Sequence, residues 1–133
     1  MDVPRFTAEL LTWQGVPWHH QGRTRAGVDC VGLALAALAE QGIAPYVPSN
    51  YHPTAAAALL ATNIDASPLL EQCSRPPQAG DVLLFQIRRS VQHLAVALGP
   101  DTMIHATQPH GVAVVTISPL WRKRLVARYG WVA

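Results

Sequence analysis

The chain has little charge, few cysteines and a single lysine. Charged residues make up 14% of its 133 residues, against 50% hydrophobic. A disordered polymer needs low hydrophobicity and high net charge, so that class is excluded and a dense core is expected. No apolar run approaches the roughly 18 residues of a membrane span, so stable membrane insertion is not expected. The opening Met1-Asp-Val-Pro-Arg has no basic stretch leading into an apolar one. The expectation is therefore no signal peptide and synthesis in the cytoplasm. Cys30 and Cys73 are too few for a disulfide scaffold. Without a Cys-x-x-Cys or a His-x-x-x-His pair there is no metal-site pattern. A glycine-rich phosphate loop and a Gly-x-Ser-x-Gly elbow are missing too, which argues against nucleotide chemistry and a serine hydrolase. The net charge of +2 is too small to favour nucleic acid as a partner. Nine of the ten cationic residues are arginine, in local groups such as Arg23 and Arg25, Arg88 and Arg89, and Arg122 to Arg124. These read as solvated faces.

What is present falls into two halves. Residues 5–13 read as a short helix with Phe6, Leu10 and Trp13 on one face. Residues 14–28 hold Gly15, Pro17, Gly22 and Gly27, a long loop of the kind that often carries function. Residues 29–41 form the strongest helix, with Asp29 as N-cap and Gly42 as terminator. It is apolar almost all round, so it belongs in the centre. A proline-bearing loop over 43–53 follows, then two short helices at 54–61 and 68–73. After Pro76-Pro77 come strand-like runs at 81–87, 92–98, 102–107 and 111–117, a helical stretch at 119–124 and a last strand near 126–132. Helices before strands predict an α+β fold with an antiparallel sheet, in one domain over 1–133.

Cys30 falls on the first turn of the central helix, where free N–H groups and the helix dipole favour a thiolate; a lowered pKa is expected. Cys73 ends a short helix, where the dipole disfavours an anion, and reads as a structural thiol. In the strand from His93, period two puts His93, Ala95 and Ala97 on one face and Leu94, Val96 and Leu98 on the other. The first face, small beside an imidazole, suits a cleft against the helix bearing Cys30. His105 lies in the next strand, close to His93 across an antiparallel pair. Thiol, imidazole and a third orienting group make up the thiol-hydrolase arrangement, whereas either histidine alone reads as a hydrogen-bonded sheet residue.

Several stretches then occur in a telling order. Trp13-Gln-Gly-Val-Pro-Trp18-His-His-Gln-Gly22 leads to Gly27-Val-Asp29-Cys30-Val-Gly32-Leu33. Ala79-Gly80-Asp81 through Phe85 follows, then His93 to Gly99, then Met103-Ile-His105-Ala106. This order resembles the NlpC family of cell-wall cysteine peptidases, and most of all its branch in phage and prophage tail-tip proteins. The resemblance implies a papain-like fold, a helix bearing the nucleophile packed on a small antiparallel sheet. It implies Cys30 as nucleophile, His93 as base and His105 as the third residue, twelve positions further on. No cofactor and no metal are expected, since the metal-ligand spacings are missing. The substrate would be the peptide stems of peptidoglycan, and the setting a phage tail acting on the host wall, with tail-tip proteins as partners. Two positions depart from the family. Val31 stands where Ser is common, although the phage branch often has an apolar residue there. Trp18 stands where a Tyr hydroxyl usually reaches the active site. An indole N–H donates but does not accept, so Trp18 is either an oxyanion donor beside the Cys30 backbone N–H or a loop anchor. Two other functions fit the same residues: a catalytically silent tail-assembly protein, and a thiol amidase or acyltransferase on another substrate.

Overall fold

The computed structural model describes residues 1–43, 69–87 and 90–132. The expected helix at 54–61 lies outside them. Helix α1 spans Val3–Leu11, two residues ahead of the sequence reading. Its start signals lie earlier than the apolar pattern: the Asp2 side chain accepts from the Arg5 N–H, and a proline stands in the first turn. Trp13 is buried just beyond the helix, its indole N–H donating to Glu9 at 3.1 Å. Strands β1 (Arg23–Thr24) and β2 (Gly27–Val28) form a small hairpin within the long loop.

Helix α2 spans Cys30–Ala39, and eight of its ten residues are buried. Gly42 takes a left-handed conformation at φ 74°. Its N–H bonds to the Ala39 carbonyl and that of Ile43 to Leu38, the paired closure that such a glycine permits. The terminator was legible in the sequence.

Six strands form one antiparallel sheet: β3 (Leu70–Gln72), β4 (Val82–Ile87), β5 (Ser90–Ala97), β6 (Thr102–Thr107), β7 (Gly111–Thr116) and β8 (Leu125–Trp131). Their order is β3-β8-β4-β5-β6-β7. Helix α3 (Pro119–Arg124), capped by Ser118, leads into β8. The α+β expectation holds, and strands β4 to β7 lie within two residues of their predicted bounds. The segment 68–73 departs from expectation. It contains an edge strand, with Leu70 opposite Trp131 and Gln72 opposite Tyr129. A six-residue helix alone has weak cooperativity, and the open edge of β8 offers backbone partners at once. Cys73 therefore follows a strand rather than ending a helix.

A second correction concerns the faces of β5. Alternation along the strand is as read, but the faces meet different partners. Leu94 packs with Cys30, Val31, Ala34 and Leu35 of α2, and Val96 with Leu33 and Ala37. Ala95 and Ala97 lie on the opposite face with Leu83, Phe85, Met103 and Ile117, where Trp121 of α3 covers them. The bulky face fills the space against an Ala-rich helix, and the small one leaves room for aromatic rings.

The loop lies directly on the first turn of α2. A Cβ added to Gly32 would stand 1.9 Å from the Gly22 carbonyl oxygen. That oxygen is backbone, so the loop itself would have to move. Gly32→Ala is expected to cost about 2–3 kcal/mol in urea unfolding, as overpacking does. Gly99→Ala, with nothing within 4 Å of its added Cβ, should stay within about 0.5 kcal/mol of wild type. Equal effects at the two positions would refute the close approach.

Candidate active site

The site begins at the N-terminus of α2. Asp29 is buried, and its two oxygens serve different segments. Oδ1 accepts the Gly32 N–H at 2.7 Å and Oδ2 accepts the Gln21 N–H at 2.9 Å. The carboxylate thus caps the helix and fastens the loop, where Gln21 has a φ of 61°. Capping of this kind contributes about 1 kcal/mol. The Gly32 N–H is consumed by the cap, whereas those of Cys30 and Val31 are directed toward the Cys30 thiol. The Leu94 N–H also reaches that thiol, so the sulfur lies against β5 beside His93.

The opening that admits it comes from the sheet. Strands β5 and β6 pair only at Val96–Ile104 and Ala97–Met103, whereas β6 and β7 pair along six positions. Beyond Val96 the ladder stops. There His93 Nε2 lies 2.8 Å from His105 Nδ1, so two side chains span what the backbone leaves open. Their rings are nearly perpendicular, at 67° with centroids 4.9 Å apart. Among the described residues no hydrogen bond joins the thiol directly to either ring.

One proton serves the His–His contact. If His93 is to accept a proton at Nδ1, its Nε2–H must donate to His105 Nδ1. His105 then has to remain neutral. Burial lowers its pKa from 6.5 to about 4, which keeps it so. Burial, followed by the neighbouring His105, lowers that of His93 to about 3. The thiol moves in the opposite direction. Burial, and secondarily the Asp29 charge, pushes Cys30 up to about 12, against the lowering by backbone N–H groups. The lowered pKa expected from the helix N-terminus is thus overturned: desolvation of a side chain 8% exposed outweighs the dipole. At neutral pH the resting site holds a thiol and two neutral imidazoles.

Two further residues belong to the site and were not singled out in the sequence. Phe85 of β4 lies 5.9 Å from the His93 ring, and Trp121 of α3 contacts His93, His105 and Phe85. The stretch 119–124 was legible as a helix, but nothing in it shows which strands it covers. Trp18 is half-buried. It bridges to Val28 through the backbone, and its ring stacks on His20 at 19°. Its packing partners are the core residues around Val28 and Leu33, which fastens the loop beside α2.

A central helix with a cysteine at its N-terminus, packed on an antiparallel sheet bearing a histidine pair, defines the papain-like type of α+β fold. The solved NlpC/P60 domain of the peptidoglycan hydrolase SagA shares it, with a TM-score of 0.71 over 98% of this chain and 99% of that one at 21% identity. The sequence matches the NlpC/P60 family over residues 15–129, and the chain belongs to that family. The murein DD-endopeptidase MepS/murein LD-carboxypeptidase of Escherichia coli K12 is 25% identical over 121 residues, 90% of this chain. The chain spans 58% of the length of that relative. RipD of Mycobacterium tuberculosis, described as a non-catalytic NlpC/p60 domain protein adapted to peptidoglycan binding, aligns with a TM-score of 0.62 at 17% identity. That alignment covers 96% of this chain and 94% of RipD.

Two predictions follow from burial. Both histidines have a folded pKa below the unfolded value of roughly 6.5, so the unfolded chain binds more protons below that pH. Stability from the pair is complete above pH 6.5 and is lost as pH falls toward about 4 and then about 3. Urea unfolding between pH 6.5 and 4 should show a slope approaching about 2.7 kcal/mol per pH unit from these two protons. His93→Gln/His105→Gln should remove most of that slope, and an unchanged slope would exclude the pair as its source. The second prediction concerns the thiols, both of which are free, Cys30 buried and Cys73 half-buried. Iodoacetamide near pH 7 should label Cys73 before Cys30 in the folded protein, and both alike in urea. Mass-mapped labelling with Cys30 first would contradict a buried, neutral thiol.

Proposed function

We propose that the chain is a cysteine peptidase hydrolysing amide bonds in the peptide stems of peptidoglycan, with Cys30 as nucleophile, His93 as base and His105 as the orienting residue. The observation that carries this reading is the 2.8 Å His93–His105 contact in the gap between β5 and β6, beside the strand position that receives the Cys30 thiol. Family membership supports hydrolysis, and the murein endopeptidase relative supports the substrate class.

The chemistry follows from neutral resting groups. Substrate brings its carbonyl carbon to the sulfur. The Cys30 proton passes to His93 Nδ1 as the C–S bond forms, since a thiol held near pKa 12 is a poor nucleophile until its proton leaves. The new imidazolium keeps its Nε2–H on His105, now as a charge-assisted hydrogen bond. The Cys30 N–H, which the Asp29 cap leaves turned to the sulfur, donates to the oxyanion that develops there, with the Trp18 indole N–H as second donor in this reading. Such donors contribute roughly 10²–10³ in rate each. His93 then protonates the leaving nitrogen and the C–N bond breaks. A water gives its proton to His93, attacks the thioester and releases the acid, and the proton returns to sulfur.

The finer setting is a phage or prophage tail. In this proposal the domain acts on the host wall, and tail-tip proteins deliver it there. Its support is the order of motifs over residues 13–106, which resembles that branch. A second reading has one specific observation behind it. RipD shows that this fold can bind peptidoglycan without catalysis, so the domain would be a wall-binding or assembly module.

Digestion of purified muropeptides, read by mass spectrometry, decides between them. Wild type should release products cleaved within the stem. Cys30→Ala should release none, and His93→Ala should be slower by about 10²–10⁴, the usual worth of a general base. Retention of muropeptides without cleavage would support the binding module. Equal digestion by wild type and Cys30→Ala would end the peptidase reading.

A further inference from the structure

Trp121 has three aromatic contacts that converge on the histidine pair. Its ring centroid lies 5.3 Å from that of His93 at an interplanar angle of 31°, and 5.5 Å from that of His105 at 75°. Phe85 braces the indole from β4 at 5.0 Å and 68°. The two imidazoles are themselves 67° apart. The indole is tilted by 31° from the His93 ring and stands edge-on, at 75°, to that of His105. One ring plane thus registers the orientation of both.

We propose that Trp121 is a positioning residue for the histidine pair, holding the His93 ring with Nε2 on His105 and offering its π face to the imidazolium that forms during turnover. The proposal rests on the peptidase reading above. Rotation of His93 about its Cβ–Cγ bond would break the 2.8 Å contact and drive the ring into the indole or Phe85. The same packing excludes water from the pair, so a cation formed on His93 lacks hydration. An aromatic face within about 6 Å offsets part of that loss, typically by 0.5–2 kcal/mol. An aliphatic side chain of similar reach would exclude water but supply no such face.

The titratable and charged groups around the pair come from several elements. His105 faces His93 from β6. Cys30 arrives from α2 at the Leu94 amide. From α3, the Arg124 guanidinium carbon sits 5.6 Å from the Trp121 ring centroid. Arg122 of the same helix turns outward to Asp101, at 3.2 Å, and Lys123 is exposed. None of these carries a resting negative charge against the imidazoles, so beside the hydrogen bond to His105 the aromatic ring is the group in contact that favours the cation.

The test compares wild type, Trp121→Leu and Trp121→Phe. Histidine Cε1–H resonances are followed against pH without substrate, and kcat and KM are measured on a muropeptide. Trp121→Leu should lower kcat roughly ten-fold at unchanged KM. It should also move the titration of His93 and His105, because the rings are no longer held in one arrangement. Trp121→Phe should restore most of both. A Trp121→Leu protein with wild-type titration and kcat would overturn the proposal. So would a loss of kcat that Phe fails to rescue while the titration stays as in wild type, since that marks a purely structural role. The titration needs no substrate. A shifted, Phe-rescued titration in a wild type that cleaves nothing would therefore sustain the positioning role and sink only the peptidase reading.

Discussion

The site depends on one buried carboxylate with its two oxygens committed to separate pieces of chain. Burying a charge is costly unless hydrogen bonds surround it. Asp29 meets that condition by drawing in the Gly32 N–H from the helix and the Gln21 N–H from the loop. Loop and helix are thereby fixed to each other at the residue before the thiol. The glycines nearby follow from the same requirement. Gly32 lies against the Gly22 carbonyl and Gly22 against that of Gly27, approaches that admit no side chain. The cap also decides which amides remain for chemistry. It takes the Gly32 N–H and leaves those of Cys30 and Val31 turned to the sulfur.

A second constraint is dryness. Thiol and imidazoles are all buried, and burial pushes every one of them toward its neutral form. A helix N-terminus alone would stabilise a thiolate. Here that effect is present, through the Cys30 and Val31 N–H groups and with that of Leu94 on β5 added, but the loss of water is larger. Burial therefore opposes a resting thiolate–imidazolium pair. In the proposed peptidase the charges are created together, when a substrate carbonyl is there to share them. His105 fits this scheme because it stays uncharged, and so remains an acceptor when its neighbour gains a proton.

Much of this was legible in the sequence, and the failures have physical causes. Asp29, Gly42 and the strand alternation are local signals, read from neighbouring residues, and each appears where expected. The pairing of His93 with His105 was legible because a short turn joins their strands. The edge strand at Leu70–Gln72 was not, since its hydrogen bonds come from β8, far along the chain. The two faces of β5 were separated correctly and assigned to the wrong neighbours. Period two shows that faces differ, but it carries no information about which helix covers which. The same limit hid Trp121. The sign of the Cys30 shift failed differently: the dipole is a property of the helix, whereas desolvation is a property of everything packed around it.

That misassigned face changes how the site is understood. Leu94 and Val96 fasten β5 to α2, while Ala95 and Ala97 face the layer under α3. A fully paired strand would keep these layers apart. The ladder between β5 and β6 ends after Val96–Ile104, and only there can the thiol from one side approach a strand whose histidine is packed from the other. The sheet thus separates Cys30 and His93 along most of its width and opens between them at one place. Residues on the α3 face, Phe85 and Trp121 first, then bear on the histidine pair although Cys30 stands on the opposite layer. Substitutions behind the sheet should therefore not be presumed silent. Their influence passes through the orientation of the histidine pair, since Trp121 contacts both His93 and His105 and Phe85 contacts His93.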